Sequence, residues 1–144
     1  EIGAAMILVE IGDDLSRFGS ADRFASWAAL CPGNNESAGK RKSGKTRKGN
    51  TTVRYLLCEA ANGAIRTVSA FRDRYRGLVV RRGHKKAIVA IAHKLIRTIY
   101  FMLTRREAYR DSGFDYAAAN VKKNASRWLK ALKRFGYWPE TQTA

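Results

Sequence analysis

Residues 85–104, KKAIVAIAHKLIRTIYFMLT, decide the fold class. Ile88, Ile91, Ala92, Leu95, Ile99 and Met102 recur at steps of three and four, which is the period of one face of an α-helix. The same period returns on both sides of this stretch. Upstream, residues 51–69 place Val53, Leu56, Leu57, Ala60, Ala64 and Val68 on one face, with Asn50 or Thr51 as the cap. A shorter basic helix follows over 71–82 and closes at Gly83. Nearer the start, an apolar helix over 3–10 stops at Gly12. Ser20 caps a helix over 21–30 that sets Phe24, Trp27 and Ala28 on one face. Pro32 ends it, because the residue before a proline is pushed away from helical angles. Downstream, a turn at Asp111-Ser112-Gly113 leads to a last helix over 118–135, with Val121, Ala125, Trp128, Leu129 and Leu132 inward, and a tail from Gly136. No run of Val, Ile or Thr alternates cleanly with polar residues. The expectation is an all-α fold: one compact helical domain over 1–144, with one long Gly/Lys/Arg-rich loop at 33–49.

Composition narrows the class of partner. The chain has 144 residues, 45% of them hydrophobic, enough to bury a core and to exclude wholesale disorder. Its 28 Lys+Arg against 12 Asp+Glu leave a formal charge of +16. A folded domain with that excess repels itself unless a polyanion relieves it. Nucleic acid is the first expectation and an anionic membrane surface the second. Apolar runs are broken by charge short of membrane length, so no span is expected. No signal-peptide pattern opens the chain, and two cysteines, Cys31 and Cys58, make no disulfide framework. A reducing, cytoplasmic setting is expected. The opening residues Glu1-Ile2-Gly3 read as the middle of an element, so a piece of a longer protein is also expected.

The loop is the sharpest local feature. Between Glu36 and Glu59 there is no acid, and residues 40–54 hold seven cations: Lys40, Arg41, Lys42, Lys45, Arg47, Lys48 and Arg54. Interleaved glycines let a backbone approach a phosphate, and successive N–H groups can form an anion nest. Seven phosphate contacts on duplex DNA would give a salt slope of roughly −6. At the head of the loop stands Ser37, in Asn35-Glu36-Ser37-Ala38-Gly39-Lys40. A hydroxyl beside clustered cations is what a phosphoryl-transfer nucleophile needs, although a loop serine is more commonly a turn residue. Ser43 is the equal candidate on these grounds.

A second basic region is helical. Residues 66–97 carry ten Lys/Arg, including Lys85 and Lys86, against the single acid Asp73. Solubility alone mixes both signs, so a nucleic-acid-facing surface is expected. Tyr55, Phe71, Tyr75 and Tyr100 can stack on bases, but at helical spacing they read as core. Neither His84 nor His93 has a Cys or carboxylate at ligand spacing, and the acids are scattered, so no metal site is expected on this chain.

The stretches LSRFGSA (15–21), FASWAALCPGNNESAGK (24–40), GKTRKGN (44–50), RYL (54–56), RRGHKKAIVAIAHK (81–94) and YRD (109–111) resemble, in order, the C-terminal domain of a family of bacterial insertion-sequence transposases. These are the enzymes described as bridge-RNA-guided serine recombinases. The resemblance runs over roughly residues 7–116. It implies that Ser37 is a nucleophile joining covalently to DNA. It implies Mg²⁺ bound by an acidic tetrad on a separate RuvC-like domain, absent here, and no cofactor on this chain. DNA and a guide RNA are the implied partners, held by the basic loop and helices, in a homo-oligomer of the full-length protein. Without the acidic domain, this stretch alone is not expected to cut or exchange strands. A helix-hairpin-helix-like segment expected at the start is cut short. The alternative left open is a non-catalytic DNA- or RNA-binding module.

Overall fold

The structure, a computed structural model, describes residues 2–12, 14–33, 35–111 and 116–137, without the side chains of residues 35, 41, 42, 116, 117 and 120. Its helices are α1 (Ile2–Ile11), α2 (Ala21–Trp27), α3 (Thr51–Ala64), α4 (Ala70–Arg82), α5 (His84–Arg105) and α6 (Tyr116–Arg134). One two-stranded hairpin, β1 (Asn35–Ser37) and β2 (Lys40–Ser43), interrupts them. The all-α expectation holds. Ser112 and Gly113 of the turn expected at Asp111-Ser112-Gly113, and most of the tail beyond Gly136, lie outside the described residues.

Helix α5 is the axis of the domain, because its apolar residues face three neighbours at once. Helices α2, α3 and α4 all pack on it, α1 packs on α3, and α6 packs on α4. Ile91 and Ile96 of α5 are fully buried with Phe24 of α2 and Val53 and Leu57 of α3. Phe18, Phe24 and Trp27 form an aromatic trio, with Phe24 and Trp27 stacked at 5.7 Å. Arg97 of α5 pairs with Asp22 of α2. The caps at Ser20 and Asn50 follow the sequence reading, and Ser69 caps α4 where that reading has the end of the preceding helix. Ser20 Oγ accepts from the Arg23 N–H, Asn50 Oδ1 from the Val53 N–H and Ser69 Oγ from the Arg72 N–H, each closing a first helical turn. Gly12 and Gly83, with φ of 71° and 74°, end α1 and α4.

Four expectations are corrected. Helix α2 stops at Trp27, well before Pro32. Ala29 adopts φ 54°, its N–H reaches the Ser26 carbonyl at 3.1 Å, and the Leu30 N–H reaches the Ala25 carbonyl at 3.1 Å. That is a Schellman ending with alanine in the usual glycine position, so hydrogen bonding and burial of Leu30 terminate the helix rather than proline. Helix α3 ends at Ala64 and not near Ser69. The Thr67 and Ser69 hydroxyls both donate to the Ala64 carbonyl and turn the chain, leaving Val68 exposed. The inward stripe expected on α6 is open: Val121, Trp128, Leu129 and Leu132 are exposed, because α4 is the one helix packed against α6 among the described residues. Tyr55 is likewise exposed rather than core. By length and mean hydropathy alone α5 meets the criterion for a membrane span, but charge breaks its apolar runs well short of that length, as the sequence reading has it. Averaging along the helix hides Lys94 and Arg97, and the fold spends its apolar side on α2, α3 and α4.

Candidate nucleic-acid interface

The segment expected as an irregular loop is a pinned hairpin. β1 and β2 pair antiparallel, with Ser37 opposite Lys40 and Glu36 opposite Arg41, and a bulge beyond them. The two residues between the strands, Ala38 and Gly39, take φ of 51° and 71°. Positive φ at both central positions is the requirement of a type I′ turn, whose twist matches paired strands. Below the strands the chain returns along its outward path. The Gly33 N–H donates to the Lys45 carbonyl at 2.7 Å, the Arg47 N–H to that of Cys31 at 3.2 Å and the Asn50 N–H to that of Trp27 at 2.8 Å.

Glycine is used here against the protein's own backbone. A Cβ on Gly49 would lie 2.4 Å from the Trp27 carbonyl oxygen, and one on Gly33 would lie 3.0 Å from that of Lys45. These two glycines, expected as concessions to a phosphate, are concessions to the end of α2 and to the returning strand.

That strand closes one wall of a groove. The cavity, 660 Å³, is lined by Lys45, Arg54, Arg74, Lys85 and Lys86, over an apolar floor that includes Leu30, Pro32, Val89 and Ala90. No carboxylate lines it among the described residues. Arg54 donates from Nη1 to Thr46 Oγ1 at 2.8 Å, which locks the returning strand to α3 and fixes the guanidinium at the rim. His93 also lines the groove, half-buried. Burial first, and the Arg97 charge second, hold its imidazole below the usual histidine range, so it is neutral at pH 7. The groove therefore offers five cations, of which Arg54 is tied in place by its hydrogen bond, and one neutral ring.

The structure divides the candidate residues. Lys45, Arg54, Lys85 and Lys86 come together in the groove. Lys40, Arg47 and Lys48 are on the hairpin and its return and do not line the groove. The side chains of Arg41 and Lys42 lie outside the described residues. Ser37 is exposed at the end of β1, and its side chain makes no hydrogen bond among the described residues. Ser43 differs, since its Oγ accepts the Lys45 N–H at 3.2 Å and serves the local turn. Arg74 and His93 are the groove residues that the candidate set misses. A signal is present in the sequence: Lys86, Val89, Ala90 and His93 follow helical steps on the face of α5 beside the isoleucine stripe.

Among the described residues no three His, Cys, Asp or Glu side chains come together as a metal site. Both cysteines are free thiols whose pKa burial pushes up, so neither is an activated thiolate.

The fold and groove define a basic helical domain with a cationic groove that no carboxylate lines among the described residues. Residues 1–76 match the model of the transposase IS116/IS110/IS902 family, and the chain belongs to that family. It is 33% identical over 117 residues to the protein named putative transposase y4pF/y4sB of Sinorhizobium fredii, covering 77% of this chain and 30% of that protein. It is 29% identical over 114 residues to the protein named probable family 20 transposase of Pseudomonas aeruginosa, covering 76% and 33%. It is 30% identical over 112 residues to the transposase for insertion sequence element IS1111A of Coxiella burnetii, covering 74% and 30%. The chain thus spans about a third of the length of these curated relatives. No solved structure matches it.

Proposed function

We propose that this chain is the nucleic-acid-holding, serine-bearing part of a DNA transposase. The observation that carries the reading is the convergence of Lys45, Arg54, Arg74, Lys85 and Lys86 on one groove without a carboxylate among the described residues, at the base of the hairpin that presents Ser37. The cations hold the phosphodiester backbone and stabilise charge that develops on the phosphate oxygens. Ser37 Oγ attacks phosphorus. A phosphoserine ester forms, the bond from phosphorus to the sugar oxygen breaks, and the serine proton ends on the departing hydroxyl. Ser37 is favoured over Ser43 because its hydroxyl is exposed and makes no hydrogen bond among the described residues, whereas Ser43 accepts a backbone hydrogen bond.

The Mg²⁺ that the resemblance implies has no ligand cluster among the described residues. The reading assigns it to carboxylates of a RuvC-like domain outside these 144 residues, and no step above runs through it. A guide RNA is a further partner under the same reading, drawn to the same basic surface.

The test is to incubate the full-length transposase with its DNA substrate and look for a covalent protein–DNA adduct after denaturation. The adduct is expected in the natural protein and lost in Ser37→Ala, with DNA binding kept. An adduct retained in Ser37→Ala would remove the serine assignment. Binding without any adduct would make the chain a non-catalytic binding module.

A further inference from the structure

A second cavity lies further along α5, with different chemistry. It encloses 300 Å³, at the small end of the roughly 300–1,000 Å³ of ligand pockets. Two of its walls are aromatic rings left open to solvent, Phe101 (41% exposed) and Tyr109 (43% exposed). Both rings are held from behind. Tyr109 stacks on the buried Phe71 at 5.8 Å, and Phe101 is fixed edge-on by Tyr100 at 5.7 Å. The Arg105 guanidinium lies 5.2 Å from the Phe101 ring centroid. Asp111 Oδ2 accepts the Ala70 N–H at 3.0 Å, tying the segment that carries Tyr109 to the start of α4. The aromatic walls are therefore built into the fold rather than carried on a free tail.

Cations surround the rings. Arg74, Lys94, Arg105 and Arg110 line the cavity, with Glu107 the one carboxylate among the described lining residues. Arg74 also lines the groove described above, so the two cavities meet at its side chain. Together they make a track along α5 from Lys85 to Arg105, about 30 Å at 1.5 Å per residue.

A cationic track with fixed, open aromatic rings suits a single strand better than a duplex. In a duplex the base faces are already stacked and only phosphates and edges are offered. An unpaired strand offers every base face, and aromatic platforms beside cations are how proteins take it without reading sequence. We propose that the cavity seats one unpaired base of a DNA strand between Phe101 and Tyr109, with the flanking phosphates on Arg105, Lys94 and Arg74, the strand continuing into the Lys85–Lys86 groove. This rests on the reading of the groove as a polyanion site, and it adds the state of the partner: an unpaired stretch of DNA, as arises where strands open for exchange.

The test uses the full-length protein with two probes, a short single-stranded DNA carrying 2-aminopurine and a closed duplex of the same composition. Stacking on the rings is expected to quench 2-aminopurine in the complex. Phe101→Leu and Tyr109→Leu, which keep apolar volume but remove the ring, are expected to weaken single-strand binding roughly 5- to 160-fold, the range of one stacked base. Both are expected to abolish the quench and leave duplex affinity unchanged. Lys85→Gln/Lys86→Gln is expected to weaken both probes. Unchanged single-strand affinity and quenching in both leucine variants, with circular dichroism showing a native fold, overturn the pocket while leaving the groove reading intact. Equal loss on both probes overturns it too, because the rings then serve the fold or the duplex. A ring-dependent quench with single-stranded RNA and none with DNA overturns the DNA assignment.

Discussion

Substituting Gly49 by alanine tests whether the hairpin is clamped to α2 as described. The new Cβ would meet the Trp27 carbonyl oxygen at 2.4 Å, the Ala29 nitrogen at 2.9 Å and the Ala29 Cβ at 3.2 Å. Real Cβ atoms stay at 3.0 Å or beyond, so the first contact must open by at least 0.6 Å (3.0 less 2.4). The two nearest atoms are backbone atoms of the Schellman ending, and no side chain can rotate away to make room. The opening acts on the Asn50 N–H to Trp27 carbonyl bond of 2.8 Å and on the Ala29 N–H to Ser26 carbonyl bond of 3.1 Å. Overpacking costs about 1–3 kcal/mol and an unmade buried hydrogen bond about 1–3 kcal/mol. Reduced freedom of the unfolded chain offsets about 0.4–1 kcal/mol. The expected loss is about 3 kcal/mol, the sum of the middle values. Urea unfolding followed by far-ultraviolet circular dichroism reads it as a midpoint lowered by about 1.5 M, for a slope near 2 kcal/mol/M. Gly44→Ala is the control, since nothing lies within 4 Å of its Cβ position, and it should stay within about 0.5 kcal/mol of the natural chain. A Gly49→Ala loss under about 1 kcal/mol, the low end of the overpacking range, would refute the clamp. The claim that residues 45–47 are held in place as a groove wall would go with it.

Three further outcomes follow from the geometry. Lys85→Gln/Lys86→Gln should flatten the plot of log affinity for duplex DNA against log salt by about 1.8, two contacts at about 0.9 each, and an unchanged slope would take both residues out of the interface. Because His93 is held below the ordinary value of 6.5, the unfolded chain takes up a proton first as the solution is acidified. Its contribution to stability is intact above about pH 7 and is lost as pH falls through the ordinary and then the folded value, so His93→Gln should remove part of the stability decline between about pH 7 and pH 5. Ala38→Gly should stabilise the hairpin by about 1 kcal/mol, because alanine at φ 51° carries a left-handed penalty that glycine does not, and thermal unfolding would show it as a raised midpoint.

The helices are legible because their information is local. The isoleucine stripe of α5 and the capping side chains of Ser20 and Asn50 need only residues three or four apart. Local preference misleads where a distant contact overrides it. Pro32 marks a plausible stop that lets α2 run to Leu30, but burial of Leu30 and the close fit of Gly49 against Ala29 end the helix at Trp27. The hairpin is hidden because its strands are short and polar, with no apolar alternation. Ala38 also stands where glycine or asparagine would announce the turn. On α6 the apolar spacing does mark a helix, but spacing alone does not say whether a second helix arrives to cover the stripe. Half of the groove is legible as charge. Arg74 and His93 do not stand out, because their place depends on how α4 crosses α5.

The groove draws its walls from chain segments far apart in sequence. Lys45 and Arg54 lie within residues 1–76, the span matched to the family model, whereas Lys85, Lys86 and His93 lie beyond it. The groove is thus a seam between two stretches of chain that meet only in the folded domain. A chimera that takes residues 77–110 from a relative would replace one bank of the seam and keep the other, together with the hairpin and Ser37. A change confined to that stretch of α5 would therefore alter one bank of the groove and leave the backbone hydrogen bonds that pin the hairpin in place.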